Sequence, residues 1–159
     1  MYNLVYNGVF TKNGVEVFRS QMIAGYVMVV TAARFQGGDG YAIERNTRYA
    51  DHVGGGQEMI GHLLSGRPLQ GWTLRKILEE EETYGGAVAA VEAAPYCAGE
   101  YDIISGVGKG VIVAKGPDAV AYTLVLGERH SNSVREDYII VTNFDYIWGD
   151  IREWFDPTG

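Results

Sequence analysis

Apolar positions in the first third of the chain fall into short runs broken by turn residues. Leu4-Val5-Tyr6 through Phe10 and Val15-Glu16-Val17-Phe18 are β-prone, and Asn13-Gly14 stands between them. Both turn residues tolerate positive φ, which favours a type I′ hairpin pairing Leu4–Phe10 with Val15–Arg19. The near-continuous apolar run from Ala24 to Thr31 predicts a strand buried on both faces. Gln36-Gly37-Gly38-Asp39-Gly40 reads as a turn, and Tyr41 to Asn46 as the next strand of an antiparallel meander.

The period changes in the middle. Ile60, Leu63 and Leu64 share one face of a helix over Gln57–Leu64, which Gly66 and Pro68 end. Thr73 suits an N-cap for a second helix carrying Leu74, Ile77 and Leu78. Glu79 to Glu82 crowd the end of that helix, where its dipole disfavours negative charge, so they read as a solvated helix exit. A third helical segment, Tyr84–Ala94, is weakened by Gly85-Gly86 and closed by Pro95.

Strand patterns return at Tyr101–Ser105, Gly110–Ala114, Val120–Leu126 and Tyr138–Thr142, with turns at Gly116-Pro117-Asp118 and Gly127 to Asn132. Strands, then helices, then strands, without βαβ alternation, predict an α+β layered domain with helices on one side of antiparallel sheet. At 159 residues the chain suits a single domain spanning 1–159.

A net charge of −7 and the lack of a basic cluster argue against a nucleic-acid partner. No apolar stretch reaches membrane-spanning length; the longest candidate, Met22 to Ala33, is of strand length. Met1-Tyr2-Asn3-Leu4 offers neither a basic region nor an apolar core, so no signal peptide is expected on these residues. The single cysteine excludes an internal disulfide and a cysteine zinc site. That residue, Cys97, has no adjacent histidine or base to activate it as a nucleophile. His52, His62 and His130 share no ligand spacing. Gly106 to Gly110 lacks the Lys-Ser/Thr pair of a phosphate loop and reads as a hairpin turn.

Candidate chemistry gathers at strand ends. Asp137 to Thr142 runs into Asn143-Phe144-Asp145-Tyr146-Ile147-Trp148, and Tyr41 to Arg45 into Asn46-Thr47-Arg48. Taken alone, Asn143 fits a turn that ends a strand, or an amide donor aimed into a cleft. Together with Phe18, Ala24-Gly25-Tyr26-Val27 and Glu100-Tyr101-Asp102-Ile103-Ile104-Ser105-Gly106, these motifs resemble the acid ceramidase and N-acylethanolamine-hydrolysing acid amidase family. The resemblance runs in order from about Asn13 to Trp148.

Several expectations follow from that resemblance. The fold would be an incomplete αββα sandwich of the N-terminal-nucleophile hydrolase type, a partial β-subunit. The whole protein would hydrolyse N-acyl lipid amides, ceramide or N-acylethanolamine, to a fatty acid and an amine, without metal or organic cofactor, in a lysosomal setting. Asn143 falls on the family's Thr-Asn-aromatic-Asp motif and would stabilise the oxyanion. Arg48, Tyr26, Asp145 and Trp148 would contribute to substrate binding, although Thr47 stands where the family carries an acid. The family's nucleophilic cysteine, and the Arg and Asp after it, would lie upstream of Met1. This chain alone would then be inactive, and the partner it lacks would be the nucleophile-bearing α-subunit segment. The alternative is a non-catalytic lipid-binding or interaction module on the same fold.

Overall fold

A computed structural model describes residues 4–36, 39–49, 56–128 and 137–143. The element order is β1 (Val5–Lys12), β2 (Val15–Ile23), β3 (Thr31–Arg34), β4 (Tyr41–Thr47), α1 (Gly56–Leu64), α2 (Gln70–Glu80), α3 (Tyr84–Ala93), β5 (Glu100–Gly106), β6 (Lys109–Lys115) and β7 (Val120–Val125). All seven strands form one antiparallel sheet in sequence order, and the helices are inserted between neighbours β4 and β5. The α+β arrangement expected from the sequence is therefore present. The described residues contribute one sheet and one helical layer to it.

The Asn13-Gly14 hairpin forms as its residues dictate, with φ of 54° and 78° and Lys12 facing Val15. Phe10 and Phe18 stack across it at 4.2 Å between ring centroids. Gly108 (φ 68°) likewise turns β5 into β6 as a hairpin.

Helices α2 and α3 cover one face of the sheet. Leu74, Ile77 and Leu78 of α2 and Ala87 and Val91 of α3 bury themselves against Phe18, Ile43, Ile104, Val111 and Val113. Burial of a large aliphatic side chain contributes roughly 1.5–3 kcal/mol, so this contact dominates the fold. The C-terminal carbonyls of α2 meet the sheet: Arg34 Nη1 donates to Leu78 O at 2.7 Å and Tyr41 OH to Glu81 O at 3.0 Å. These donors offset the unfavourable acids at that helix end.

Three expectations are corrected. Ala24–Thr31 is not a buried strand. β2 ends at Ile23, Gly25 turns with φ 85°, and pairing resumes only at Thr31. Gly25 supplies turn conformation, since a Cβ there would meet nothing within 4 Å. Close approach belongs to Gly71, where a Cβ would lie 2.5 Å from Met28 Cβ and 2.9 Å from Val29 O.

Thr73 is not an N-cap: α2 starts at Gln70 behind Leu69, and the Thr73 hydroxyl is buried inside the helix without a partner among the described residues. The side-chain cap is instead Thr83 on α3, accepting from Gly86 N at 3.1 Å. Tyr138–Thr142 is not a strand of the sheet. Ile139 and Val141 pack on the face opposite the helices, against the cluster of Tyr101, Ile112, Ala114 and Leu124. An apolar alternation fits that packing as well as it fits a ladder, which is why the pattern reads as strand.

Candidate active site

Strand β4 alternates between the two sides of the sheet, and its end supplies both halves of the site. Asn46 pairs with Tyr101 of β5, which pairs with Ala114 of β6, which pairs with Tyr122 of β7. This row lies on the face away from the helices. Arg48 is 3% exposed and spreads its guanidinium 6.0 Å from the Tyr101 ring centroid and 5.8 Å from that of Tyr122. Its Nη1 donates to Lys115 O at 3.1 Å. A delocalised cation held over two rings is fixed in direction as well as charge.

Asn143 reaches the same row across 97 residues of sequence. Its Nδ2 donates to Asn46 Oδ1 at 2.9 Å and to Thr47 O at 2.9 Å, while the Asn143 backbone carbonyl accepts from Tyr49 N at 2.6 Å. The Thr47 carbonyl can only accept, which sets the orientation of the amide. The two strand ends read from the sequence therefore converge, and Asn46 is the partner that reading left without a role.

Tyr26 lies elsewhere. Its hydroxyl accepts from Arg45 Nη2 at 2.8 Å, and Arg45 leaves β4 on the helical side. Asp145 and Trp148 fall outside the described residues. Cys97 is buried, its Sγ 3.6 Å from Gln70 Oε1, and burial pushes its thiol above the ordinary range, the reverse of activation. His62 Nδ1 lies 3.1 Å from Cys97 O, a backbone contact that leaves the sulfur untouched.

Behind Asn46 and Thr47 the helical face carries charge that sequence reasoning missed. Arg45 Nη1 meets Glu100 Oε1 at 2.9 Å, and Tyr96 OH donates to Asp102 Oδ2 at 2.8 Å. Lys115 Nζ lies 4.6 Å from the Tyr96 ring centroid and donates to Val91 O at 2.6 Å and Glu92 O at 3.0 Å. Burial pushes the carboxyls of Glu100 and Asp102 up to about 7 each, against the opposing pull of Arg45 on both and of the Tyr96 hydrogen bond and Lys115 on Asp102. The available signal was Asp102 at a core-facing position, with Lys115 closing the apolar run Val111 to Ala114.

Among the described residues, two cavities lie apart from Asn143. One of about 310 Å³ sits at the far end of β4 against Ala42, Ser105 and Val107, and one of about 600 Å³ lies between α2 and α3 beside Trp72 and Lys76. No group of three or more His, Cys, Asp or Glu residues suited to a metal occurs among the described residues. No helix there is long and apolar enough to cross a membrane.

No family model matches the sequence, and no curated protein does. Among solved structures, the chain is similar to the Caenorhabditis elegans N-acylethanolamine-hydrolyzing acid amidase ortholog, at TM-score 0.70 and 26% identity. The match covers 94% of this chain and 62% of that one, so the chain spans under two thirds of the length of the structure it resembles. The layered antiparallel architecture is of the N-terminal-nucleophile hydrolase type. That match supports the resemblance to the acid ceramidase and N-acylethanolamine-hydrolysing acid amidase family read from the sequence.

Proposed function

We propose that these residues form part of an amidase that hydrolyses N-acyl lipid amides, ceramide or N-acylethanolamine, to a fatty acid and an amine in a lysosomal setting. The observation that carries this reading is the convergence of Asn143 on Asn46 and Thr47 within a fold matched over 94% of the chain. In the proposed step a cysteine thiolate attacks the amide carbonyl and its own α-amine moves the proton. The carbonyl oxygen gains negative charge, and Asn143 exchanges its bond to Asn46 for that oxyanion. Collapse of the intermediate releases the amine, and water then frees the fatty acid. Cys97 cannot be that nucleophile, being buried, internal and unactivated. Catalysis in this reading therefore needs a nucleophile-bearing segment beyond these 159 residues.

A second reading is a non-catalytic lipid-binding or interaction module. What favours it is that both N–H donors of Asn143 are already engaged within the chain. Turnover on N-acylethanolamine and ceramide separates the two readings. Residues 1–159 alone should release no fatty acid. Combined with a family nucleophile segment they should turn over, and Asn143→Ala should then lower kcat by roughly 10²–10³ with KM nearly unchanged. Near-normal kcat in that variant removes Asn143 from catalysis, and no turnover in the combined protein favours the module.

A further inference from the structure

Three adjacent strands place four charges on the helix-covered face within two rungs of the sheet. Arg45 faces Asp102 across β4 and β5, and Glu100 faces Lys115 across β5 and β6. Glu100 and Asp102 sit two residues apart on one strand, so their backbones are separated by roughly 7 Å. Fractional exposure is 3% for Glu100, 0% for Asp102 and 1% for Lys115.

Hydrogen bonding within this cluster does not close. Arg45 Nε, Glu100 Oε2 and Asp102 Oδ1 are buried and have no partner among the described residues. One spare donor faces two spare acceptors. Native interiors rarely leave such groups unmatched, because each orphan keeps its full desolvation cost. A proton taken up by either carboxylate supplies a second donor, and the oxygen that remains ionised has two lone pairs with which to accept from both.

We propose that Arg45, Glu100, Asp102 and Lys115 form a buried proton-binding site beneath the end of β4, coupled to the anchoring of Asn143. The other titratable groups facing it are accounted for by element. Tyr96, from the segment after α3, donates to Asp102, and burial beside that carboxylate holds its phenol protonated. Cys97 of the same segment is held as a thiol by burial. Glu92 of α3 acts on Lys115 through space, and Tyr26, from the segment between β2 and β3, binds Arg45.

The link to Asn143 is covalent and short. Thr47, whose carbonyl holds the Asn143 amide, is the rung partner of Glu100, and Asn46 lies between Thr47 and Arg45. Arg48 ties the other face to the Lys115 carbonyl. A change in charge beneath the strand alters how Arg45 is held and so shifts the backbone that Asn143 grips. The raised carboxyl pKa values of Glu100 and Asp102 agree with this reading. Neither proton binding nor its coupling to Asn143 depends on the amidase reading.

The test is a carbon-13 carboxyl NMR titration of the full chain from pH 4 to 9, with backbone-linked assignment and the side-chain amides of Asn46 and Asn143 followed in the same samples. At least one of the two carboxyls should titrate more than about one pH unit above the ordinary carboxylate range, and both amide signals should move with that midpoint. Glu100→Gln and Asp102→Asn should each remove one titration step and flatten the amide response. If those variants do not fold, the unmodified chain still decides. Midpoints below about 5 for both carboxyls, or amide signals blind to the titration, overturn the proposal.

Discussion

Arg45 and Asn46 are adjacent in the chain, yet the sheet sends them into opposite chemistries. Arg45 enters a helix-covered layer where it faces Asp102 across a rung, Glu100 faces Lys115, and three polar atoms remain unmatched among the described residues. Asn46 enters the face away from the helices, where an amide pair, a backbone carbonyl and a guanidinium over two phenols make the polar contacts with mostly neutral groups. The comparison separates two uses of polarity. On the covered side, low dielectric makes each charge depend on its partners and on pH. On the other face, the neighbouring rung of backbone positions a donor without committing it to one charge state.

The largest break in this comparison should come from Lys115→Met, which keeps the volume and removes the ammonium. It leaves the carbonyls of Val91, Glu92 and Ala94 without their donor and Asp102 with Arg45 as its remaining counter-charge. A loss of about 3–5 kcal/mol is expected from urea midpoints. It should be smaller at pH 5 than at pH 8, because Asp102 can then take up a proton. A cost equal at both pH values would show that the two groups are not coupled.

A smaller effect should appear in the unmodified protein as pH changes. Glu100 and Asp102 have folded-state pKa values of about 7, whereas unfolded carboxyls titrate near about 4. Between those values the folded state holds more protons than the unfolded state. Unfolding then releases protons, so this contribution is fully present below about pH 4 and is lost as pH rises to about 7. The thermal midpoint should fall across that window, with stability dropping by about 1.4 kcal/mol for each pH unit by which a single carboxyl is raised. In Glu100→Gln/Asp102→Asn the slope should vanish, and a slope that persists places its origin in other groups.

Asn143→Ala should cost least, about 1–2 kcal/mol, through two lost bonds from a neutral, part-buried amide. That cost should be the same at pH 5 and pH 8 to within error if the amide only anchors the segment. A pH-dependent cost would tie it to the charged layer behind β4. Chemical denaturation at the two pH values reads both outcomes.

Local rules determined much of the architecture. Asn13-Gly14 can adopt positive φ at both positions, so the first hairpin and its register follow from two residues. Alternation fixed β4 to β7 to within a residue or two, and helical spacing fixed α1 and α3 as closely. Ala24–Thr31 failed because apolar periodicity does not register a glycine at φ 85°, and because Gly71 docks α2 onto the segment that follows. Tyr138–Thr142 failed because an apolar alternation is satisfied by packing on a sheet as well as by joining it.

For the site, the sequence by itself named Asn143, Asn46-Thr47-Arg48 and the family that unites them. It could not say that Asn46 and Thr47 are what Asn143 holds, because a contact across 97 residues leaves no local signature. Nor could it find the charged layer. Asp102 and Lys115 interrupt apolar patterns, but their grouping with Arg45 and Glu100 emerges only once the strands are registered and the end of α3 is laid over them. Burial and pairing of charge depend on which rungs meet and what covers them, and only the tertiary structure decides that.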